Sequence, residues 1–330
     1  MKLRDHILTH DNAYRGLLMP IVSKLLGKPP NLSIIIPFYK ADNTIRETVT
    51  CLIAAADYAR TYGGIGTAAL RIVVDGCAPP DLFGISCPPG ISVSLDHHPF
   101  NLGRGAARNT GLFRAEGDLT FFVDADIWID PHALFHHVCL HRQFDQTLTP
   151  AITFGLFRTF KIRGKDTRHL KRADLTPSNG IVDFRTLCDF KEAYLCRPED
   201  SVFVGRRFEI LADTDALNAW PLEGWHGPWT LPEMCLGGLF CVKTKEAQAV
   251  GGLDATFNGY GYEETSLVAK LLVATGCKVV PEQSCENLHI DIEDEGQSRA
   301  MKDELLRQSY RKYHAVFLEH EFQRPMTVAE

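Results

Sequence analysis

The sequence predicts an α/β protein built on a mostly parallel sheet. Short runs of β-branched and aromatic residues recur along residues 31–150, and each run is the length of one strand. Helical patterns separate these runs, and Gly, Pro or Asp commonly ends them. Such alternation is typical of strand–helix–strand units, in which parallel strands are covered by helices.

The first 30 residues predict an N-terminal helical arm. Apolar residues are spaced as on one or two helices, and Gly27-Lys28-Pro29-Pro30 ends the pattern because Pro-Pro cannot continue a helix. We expect the arm to pack on the body of the protein rather than on a membrane, because Asp5 and Asp11 dilute any basic face.

Residues 31–150 predict strands and helices in alternation. The predicted strands are residues 32–37, 71–75, 91–95 and 119–124, and the predicted helices are residues 44–60, 105–115 and 131–144. The first strand, Leu32-Ser-Ile-Ile-Ile-Pro37, is a β-branched run of the kind found in buried parallel strands. The last helix has Pro131 in its first turn, where proline is tolerated.

The regular pattern loosens between residues 151 and 235 and returns after it. A strand is predicted at residues 237–242, a helix at 263–275, a short strand at 278–280 and a polar C-terminal helix at about 297–322. No internal repeat or linker interrupts the chain. We therefore expect one domain, residues 31–295, that carries an irregular insert and is followed by a C-terminal helix in residues 296–330.

Composition excludes several classes of protein. The 35 Lys+Arg against 41 Asp+Glu give a net charge of -6, which argues against a general nucleic-acid binder. No apolar run approaches the ~18 residues of a membrane helix, and the N-terminus lacks the pattern of a signal peptide. Ten scattered cysteines favour small core residues in a reduced protein. We expect a cytoplasmic protein, free or peripheral to a membrane, with no integral membrane segment.

Two carboxylates, Asp124 and Asp126, stand at the end of the fourth predicted strand. Ligands of open α/β sheets bind at the carboxyl ends of strands, and two acids there can share a divalent cation. An isolated Asp-x-Asp is more often a turn or helix cap, so its context decides. The preceding segment has glycines before a helix, an arrangement suited to anions, with Arg104 and Arg108 as added cations. A nicotinamide site is disfavoured, because Arg108 stands at the third glycine position of that fingerprint.

Four motifs occur in order in the first half of the chain: Ile34-Ile35-Ile36-Pro37-Phe38-Tyr39, Val73-Val74-Asp75-Gly76, Asn101-x-Gly103-x-x-x-Ala107-Arg108-Asn109-x-Gly111 and Val123-Asp124-Ala125-Asp126. In order and spacing the chain resembles the family 2 glycosyltransferases, which have the GT-A fold and use nucleotide sugars. The resemblance covers about residues 32–290, apart from an insert at 160–230.

A later block resembles the galactosyltransferase-type C-terminal segment, whose pattern runs Gly-Gly-Phe-Asp-Glu and then Gly-Trp-Gly-Gly-Glu-Asp. The matching stretches are Gly237–Phe240, Val250-Gly251-Gly252-Leu253-Asp254 and Phe257–Glu264. The resemblance thus implies a GT-A domain with a mostly parallel mixed sheet flanked by helices. Residues 31–150 would form its nucleotide-sugar-binding half, and residues 151–295 would form the acceptor and catalytic half with an irregular acceptor-side insert.

The resemblance also implies where the donor would bind. The expected donor-binding residues are Pro37, Phe38, Tyr39, Asp75, Arg104, Arg108, Asp124 and Asp126. The family's usual Asp-Asp-Gly-Ser is here Asp75-Gly76-Cys77, which leaves one acid to contact the base. Asp126 and His289 are expected to hold Mn²⁺ or Mg²⁺.

Two adjacent acids are the candidates for the catalytic base. Glu264 stands where the family usually has an aspartate, and Glu263 matches an acid that contacts the donor or acceptor. Because glutamate is longer by one methylene, either residue could be the base. Trp225, His226 and Trp229 are the candidate acceptor site, since aromatic faces stack on sugar rings; a tryptophan-rich loop that plugs the core explains them equally well.

The resemblance implies a metal-dependent inverting glycosyltransferase that uses a nucleotide sugar, with a UDP-sugar expected. A sugar, a lipid-linked sugar, a peptide and a small molecule all stay open as acceptors. One alternative is a nucleotide-sugar-binding protein without transfer activity. A second is a sugar nucleotidyltransferase, which is disfavoured because no glycine-rich basic loop follows the first strand.

A histidine-rich stretch lies on the helix predicted at residues 131–144. His132/His136 and His137/His141 have the i,i+4 spacing of zinc ligands, and Cys139 lies between them. No glutamate completes either pair as in a metalloprotease. We favour a solvated helix face and keep zinc as the alternative.

Overall fold

The computed structural model describes residues 1–12, 14, 17, 27–162, 167–183, 185, 228–235, 238–257, 259–292 and 299–322. The strands are β1 (Leu32–Phe38), β2 (Ala68–Asp75), β3 (Ile91–His98), β4 (Leu119–Val123), β5 (Ile127–Trp128), β6 (Ala151–Ile162), β7 (Leu239–Lys243) and β8 (Lys278–Ile292). The helices are α1 (Leu3–Leu8), α2 (Ile45–Thr61), α3 (Arg104–Phe113), α4 (Ala133–Gln146), α5 (Thr244–Ala249), α6 (Glu263–Thr275) and α7 (Arg299–Ala315). Short 3₁₀ helices cover Arg172–Asp174, Pro177–Asn179, Pro228–Met234 and Phe317–Glu319.

These strands form one mixed sheet in the order β3-β2-β1-β4-β7-β6-β8-β5. Strands β3, β2, β1 and β4 are parallel, as the alternating pattern predicted. Strand β7 runs antiparallel to both β4 and β6, whereas β6 and β8 are parallel. The short β5 closes the edge antiparallel to β8. The predicted fold class, a mostly parallel mixed sheet flanked by helices, is confirmed.

Hydrophobic residues cover both faces of the sheet. On β1, Ile34 and Ile36 face a cluster with α2 and α4, whereas Ile35 faces a second cluster with α3 and α6. Both faces are buried, which explains why the strand reads as a continuous apolar run. A Cβ on Gly111 of α3 would lie 2.5 Å from Ile35 Cγ2. The helix therefore approaches the sheet more closely than alanine would allow.

Several predicted boundaries need correction. Strand β8 continues to Ile292 instead of ending at residue 280, because its polar second half pairs with β6 and β5. Strand β6 occupies twelve residues of the stretch expected to be irregular. Helix α7 ends at Ala315, before residue 322. Within the same stretch, residues 163–166, 184 and 186–227 lie outside the described residues.

Helix α1 packs against α6, α7 and the 3₁₀ helix Phe317–Glu319. Leu3 and Ile7 of α1 are buried against Phe317, Leu318 and residues of α6 and α7. The Leu3 N–H donates to the His320 carbonyl over 3.0 Å. None of the helices in the described part of the chain is long and apolar enough to cross a bilayer.

Candidate active site

The candidate site lies at the carboxyl ends of the parallel strands. Asp75 is the last residue of β2, Asp124 follows β4, and Asp126 immediately precedes β5. The Asp124 N–H donates to the Gly238 carbonyl over 2.9 Å, which ties the acid to the start of β7. The sheet therefore gathers acids from separate stretches of the chain at one edge.

Strand register brings Asp126 and His289 together. Ile127 of β5 pairs with His289 of β8, and the Ile290 N–H donates to the Asp126 carbonyl over 2.9 Å. As a result, the His289 Nε2 lies 3.6 Å from the Asp126 Oδ2. The other ring nitrogen, Nδ1, lies 3.4 Å from the Thr159 hydroxyl, which fixes the orientation of the imidazole.

The donor atoms of this pair fit a divalent cation. The Asp126 Oδ1 is buried and has no hydrogen-bond partner in the described structure, so it is free to accept a ligand bond. Burial would raise the pKa of Asp126, but the charge and hydrogen bond of His289 lower it. Burial would lower the pKa of His289, whereas Asp126 raises it. Carboxylate oxygens suit Mg²⁺ and Mn²⁺, and imidazole nitrogen is a ligand of divalent transition metals.

Arg108 is a fully buried cation that holds three carboxylates. Its Nη2 lies 2.5 Å from the Asp124 Oδ1, and its Nη1 lies 2.6 Å from the Glu264 Oε1 and 3.5 Å from the Glu263 Oε1. The guanidinium has no exposed surface. Carboxylates of α6 and of the β4 end surround it, and its expected role in donor binding stays a prediction.

Arg104 lies one turn before Arg108 on the same face of α3 and is partly exposed. Its Nε is 3.4 Å from the Glu263 Oε1, and 37% of its side-chain surface is accessible. Its guanidinium lies 4.8 Å from the ring centre of Tyr260, a cation–π contact. Tyr260 was not predicted as a site residue, although it stands at the tryptophan of the Gly-Trp-Gly-Gly pattern and could have been found there.

A strained turn presents the two glutamates. Gly261 and Tyr262 both have positive φ, of 82° and 72°, and Glu263 and Glu264 then form the first turn of α6. Acids at this helix end are stabilised by the helix dipole. The Tyr262 ring packs against Tyr310 and Tyr313 of α7, which holds the left-handed residue in place.

Burial changes the ionisation of Glu264. The residue is 4% exposed, and its burial, opposed by Arg108 and assisted by Glu263 and Asp124, raises its pKa to about 7. A carboxylate with this pKa changes its protonation state near neutral pH, which suits a general base.

The nucleoside end of the predicted donor site is more closed than expected. The Phe38 side chain is fully buried in the core, whereas Tyr39 is 45% exposed. The expected donor contact of each stays a prediction. Both oxygens of Asp75 are already bonded: the Leu102 and Gly103 N–H groups donate to them over 2.8 and 2.9 Å. Asp75 thus fixes the loop that begins α3, and its contact with a base stays a prediction, as does that of Pro37.

The candidate acceptor residues fall mostly outside the described structure. Trp225 and His226 lie outside it, and Trp229 belongs to the 3₁₀ helix Pro228–Met234 without a described side chain. Their role stays a prediction.

The solvated face expected on α4 is wrong for two of its histidines. His137 and His141 are buried. The His137 Nδ1 lies 2.7 Å from the Thr153 hydroxyl, and the His141 Nε2 lies 3.2 Å from the Cys241 carbonyl. Burial lowers the pKa of each to about 4. Both are neutral hydrogen-bonding groups between α4 and the sheet.

Gly238 permits the close approach of Asp124. Its φ is +91°, and a Cβ built there would lie 2.6 Å from the Asp124 Cγ. A residue other than glycine held in the left-handed conformation costs about 1–3 kcal/mol. We expect Gly238→Ala to lower the free energy of unfolding by more than this amount, because the added Cβ also clashes with Asp124. Gly251→Ala is the matched control, because Gly251 has φ +79° and nothing within 4 Å of its Cβ position. Urea unfolding measures both, and equal losses would contradict a clash with Asp124.

The fold and site define a class of protein. A parallel first half, a mixed second half and an acid pair at their junction are the features of a GT-A glycosyltransferase domain. Residues 33–213 match the family described as glycosyl transferase family 2, and the chain belongs to that family of glycosyltransferase enzymes.

Known relatives are distant. The chain is 32% identical over 104 residues to glycosyltransferase GlyA of Streptococcus pneumoniae serotype 4, a match that spans 30% of this chain and 13% of the relative. GalNAc-T7, solved with UDP, GalNAc and Mn²⁺, superposes with a TM-score of 0.50 and 16% identity over 87% of this chain and 50% of its own. S. aureus TarS 1–349 gives 0.48 and 15% identity over 87% and 72%.

Proposed function

We propose that the protein is a metal-dependent, inverting glycosyltransferase that moves a sugar from a UDP-sugar to an acceptor nucleophile. The observation that carries the proposal is the pairing of Asp126 with His289, at 3.6 Å, beside the network that contains Glu264. A cation-binding pair and a candidate base thus occur at one edge of the sheet.

The donor is proposed to lie across the carboxyl ends of β1, β2 and β4. Tyr39 is exposed there and can stack on the nucleobase. Asp124 can accept a hydrogen bond from a ribose or sugar hydroxyl with its second oxygen, since Arg108 contacts its Oδ1. The UDP and Mn²⁺ bound by the structural neighbour GalNAc-T7 support the choice of a uridine nucleotide and a divalent cation.

Asp126 and His289 are proposed to hold the cation, Mn²⁺ or Mg²⁺, which when bound neutralises the charge that develops on the diphosphate leaving group. Arg104 is accessible from solvent and can add a positive charge to the same phosphates. The Thr159 hydroxyl keeps His289 in its orientation.

Glu264 is proposed as the base, with Glu263 as the alternative. Its carboxylate takes the proton from the acceptor nucleophile, which then attacks the anomeric carbon opposite to the departing diphosphate. Attack from that side inverts the anomeric configuration. A pKa of about 7 allows Glu264 both to be ionised and to accept a proton near neutrality.

The acceptor is proposed to bind to the half formed by residues 151–295, with Trp225, His226 and Trp229 as contacts. A sugar, lipid-linked, peptide or small-molecule acceptor is compatible with this arrangement. Localisation of the protein in the cytoplasm or at a membrane surface is part of the same proposal.

Thermal unfolding with a panel of nucleotide sugars tests the donor and cation assignments. A ligand that binds the folded state raises the melting temperature. We expect a UDP-sugar to give the largest rise, and only when Mn²⁺ is present. Asp126→Asn should abolish the manganese-dependent part, whereas Asp57→Asn, in an ion pair within α2, should retain it. A rise independent of Mn²⁺, or unchanged in Asp126→Asn, would contradict the proposal.

A further inference from the structure

A second cluster of possible metal ligands lies apart from the Asp126–His289 pair, between α4 and β8. It consists of His136, Glu282 and Cys285, whose ligand atoms all lie within 4.8 Å of one another. The His136 Nδ1 is 3.3 Å from the Glu282 Oε1 and 3.6 Å from the Cys285 Sγ. A nitrogen, an oxygen and a sulfur donor therefore converge at one point.

A bulge in β8 builds the cluster. Gly155 pairs with Glu282 and Phe157 pairs with Asn287, so residues 283–286 of β8 stand opposite the single residue 156 of β6. Such a bulge redirects the side chains of its strand. At this bulge the side chains of Glu282 and Cys285 lie close to His136 of α4. Helix α4 packs against β8. The partners of His136 are thus on β8, and the helical spacing of histidines in the sequence could not indicate them.

The two distances from the His136 nitrogen match those of a tetrahedral zinc site. With Zn–N and Zn–O bonds of about 2.1 Å and a Zn–S bond of about 2.3 Å, neighbouring ligand atoms are about 3.4 Å apart for nitrogen and oxygen and about 3.6 Å apart for nitrogen and sulfur. The observed separations are 3.3 and 3.6 Å. The three side chains could bind one ion without moving far.

The second oxygen of Glu282 supplies an independent indication. Its Oε2 is buried without a hydrogen-bond partner among the described residues, in a side chain that is 2% exposed. An ionised buried oxygen without a partner is costly. The Ser284 N–H already donates to Oε1 over 2.8 Å and orients the carboxylate. A cation at the cluster would compensate the remaining charge.

We propose that His136, Glu282 and Cys285 bind Zn²⁺ or a similar divalent transition-metal ion. A thiolate and an imidazole select such an ion over Mg²⁺ or Ca²⁺, which prefer oxygen ligands. On binding, Cys285 loses its thiol proton to solvent, and His136 coordinates as the neutral imidazole through Nδ1. His136 is partly exposed, so water can take the fourth position. The ion would connect α4 to the bulge of β8. Of its ligands, Cys285 precedes His289 by four residues on that strand.

Cobalt binding to the whole chain tests the site. Co²⁺ bound by a thiolate shows a sulfur-to-metal charge-transfer band, which oxygen and nitrogen ligands do not give. We expect one equivalent of Co²⁺ to produce this band, and an equivalent of Zn²⁺ to remove it. Cys285→Ser should lose the band. Cys139→Ser is the matched control, because Cys139 lies on α4, the helix that carries His136. This variant should retain the charge-transfer band.

The same experiment separates this site from the donor site. Asp126→Asn should keep the cobalt band, because the proposed donor-site ligands include no sulfur, so failure of the proposed function leaves this result unchanged. Absence of the band in the wild-type chain, or its persistence in Cys285→Ser, overturns the proposal. If Cys285→Ser does not fold, X-ray absorption of the zinc-loaded wild-type chain decides, since a shell without a sulfur at about 2.3 Å overturns it equally.

Discussion

Replacing Arg108 with methionine is expected to destabilise the domain by about 3–5 kcal/mol at neutral pH, because removal of one partner strands buried charges. Arg108 is fully buried and lies within 3.5 Å of Asp124, Glu263 and Glu264. Methionine fills much of the same volume but supplies no charge. Against the about 5–15 kcal/mol that separates most folded domains from the unfolded state, this loss is large, and urea unfolding measures it.

The loss should depend on pH. In the wild-type chain burial raises the pKa of Glu264 to about 7 and raises that of Asp124, while Arg108 lowers both. Without Arg108, these two pKa values rise further above those in the unfolded chain. The folded variant then binds more protons than the unfolded one, so its stability falls as pH rises above about 4–5, the range of unperturbed carboxyl groups. We therefore expect a smaller loss at pH 5 than at pH 8. An equal loss at both values would indicate that Arg108 acts only through packing.

Two further variants isolate the charge effect. Arg108→Met combined with Glu264→Gln removes one of the carboxylates left without a partner. The double variant should therefore be more stable at pH 8 than Arg108→Met alone. A double-mutant cycle with the two single variants gives the interaction energy between Arg108 and Glu264. Arg104→Met is the matched control on the same helix. Because Arg104 is 37% exposed in its side chain, its ion pair with Glu263 is screened, and we expect a loss below about 1 kcal/mol.

The parallel half of the fold could be predicted because its signals are local. Strands β1 and β4 are short apolar runs, and the turn residues that end them are neighbours in sequence. Asp124 and Asp126 come directly after the apolar run of β4 in the sequence. The rule that ligands bind at the carboxyl ends of strands then suffices to predict them as site residues. The predicted helix at residues 263–275 agrees with α6 residue for residue.

The remainder depends on contacts that are distant in sequence. His289 was placed after a short strand, but it lies within β8, and its distance to Asp126 is set by the pairing with Ile127. The local sequence around Arg108 predicts a phosphate ligand. Its burial is caused by α6, which is distant in sequence, so the local pattern could not reveal it. Likewise, histidines at helical spacing do not reveal which face of α4 meets the sheet. His137 and His141 meet the sheet, whereas His136 faces the bulge of β8.

Glu264→Gln is expected to reduce sugar transfer by about 10²–10⁴-fold, the usual contribution of a general base, while the affinity for the UDP-sugar stays unchanged. Steady-state kinetics and calorimetry measure the two effects separately. Glu263→Gln is the matched comparison, because Glu263 is the preceding residue, is also buried and also contacts Arg108. If Glu263 is the base, the two variants exchange their effects; if both retain transfer, neither carboxylate is the base.

The pH dependence of transfer is a second test of Glu264 as the base. Glu264 has a pKa raised to about 7, so it is protonated and inactive below that pH. In the wild-type enzyme kcat/KM should rise about tenfold per pH unit up to about pH 7 and level off above it. Glu264→Gln should lose this inflection. Glu264→Asp, which restores the family's usual residue, should recover part of the rate together with the inflection. A wild-type profile without an inflection near pH 7, or an unchanged inflection in Glu264→Gln, would contradict Glu264 as the base.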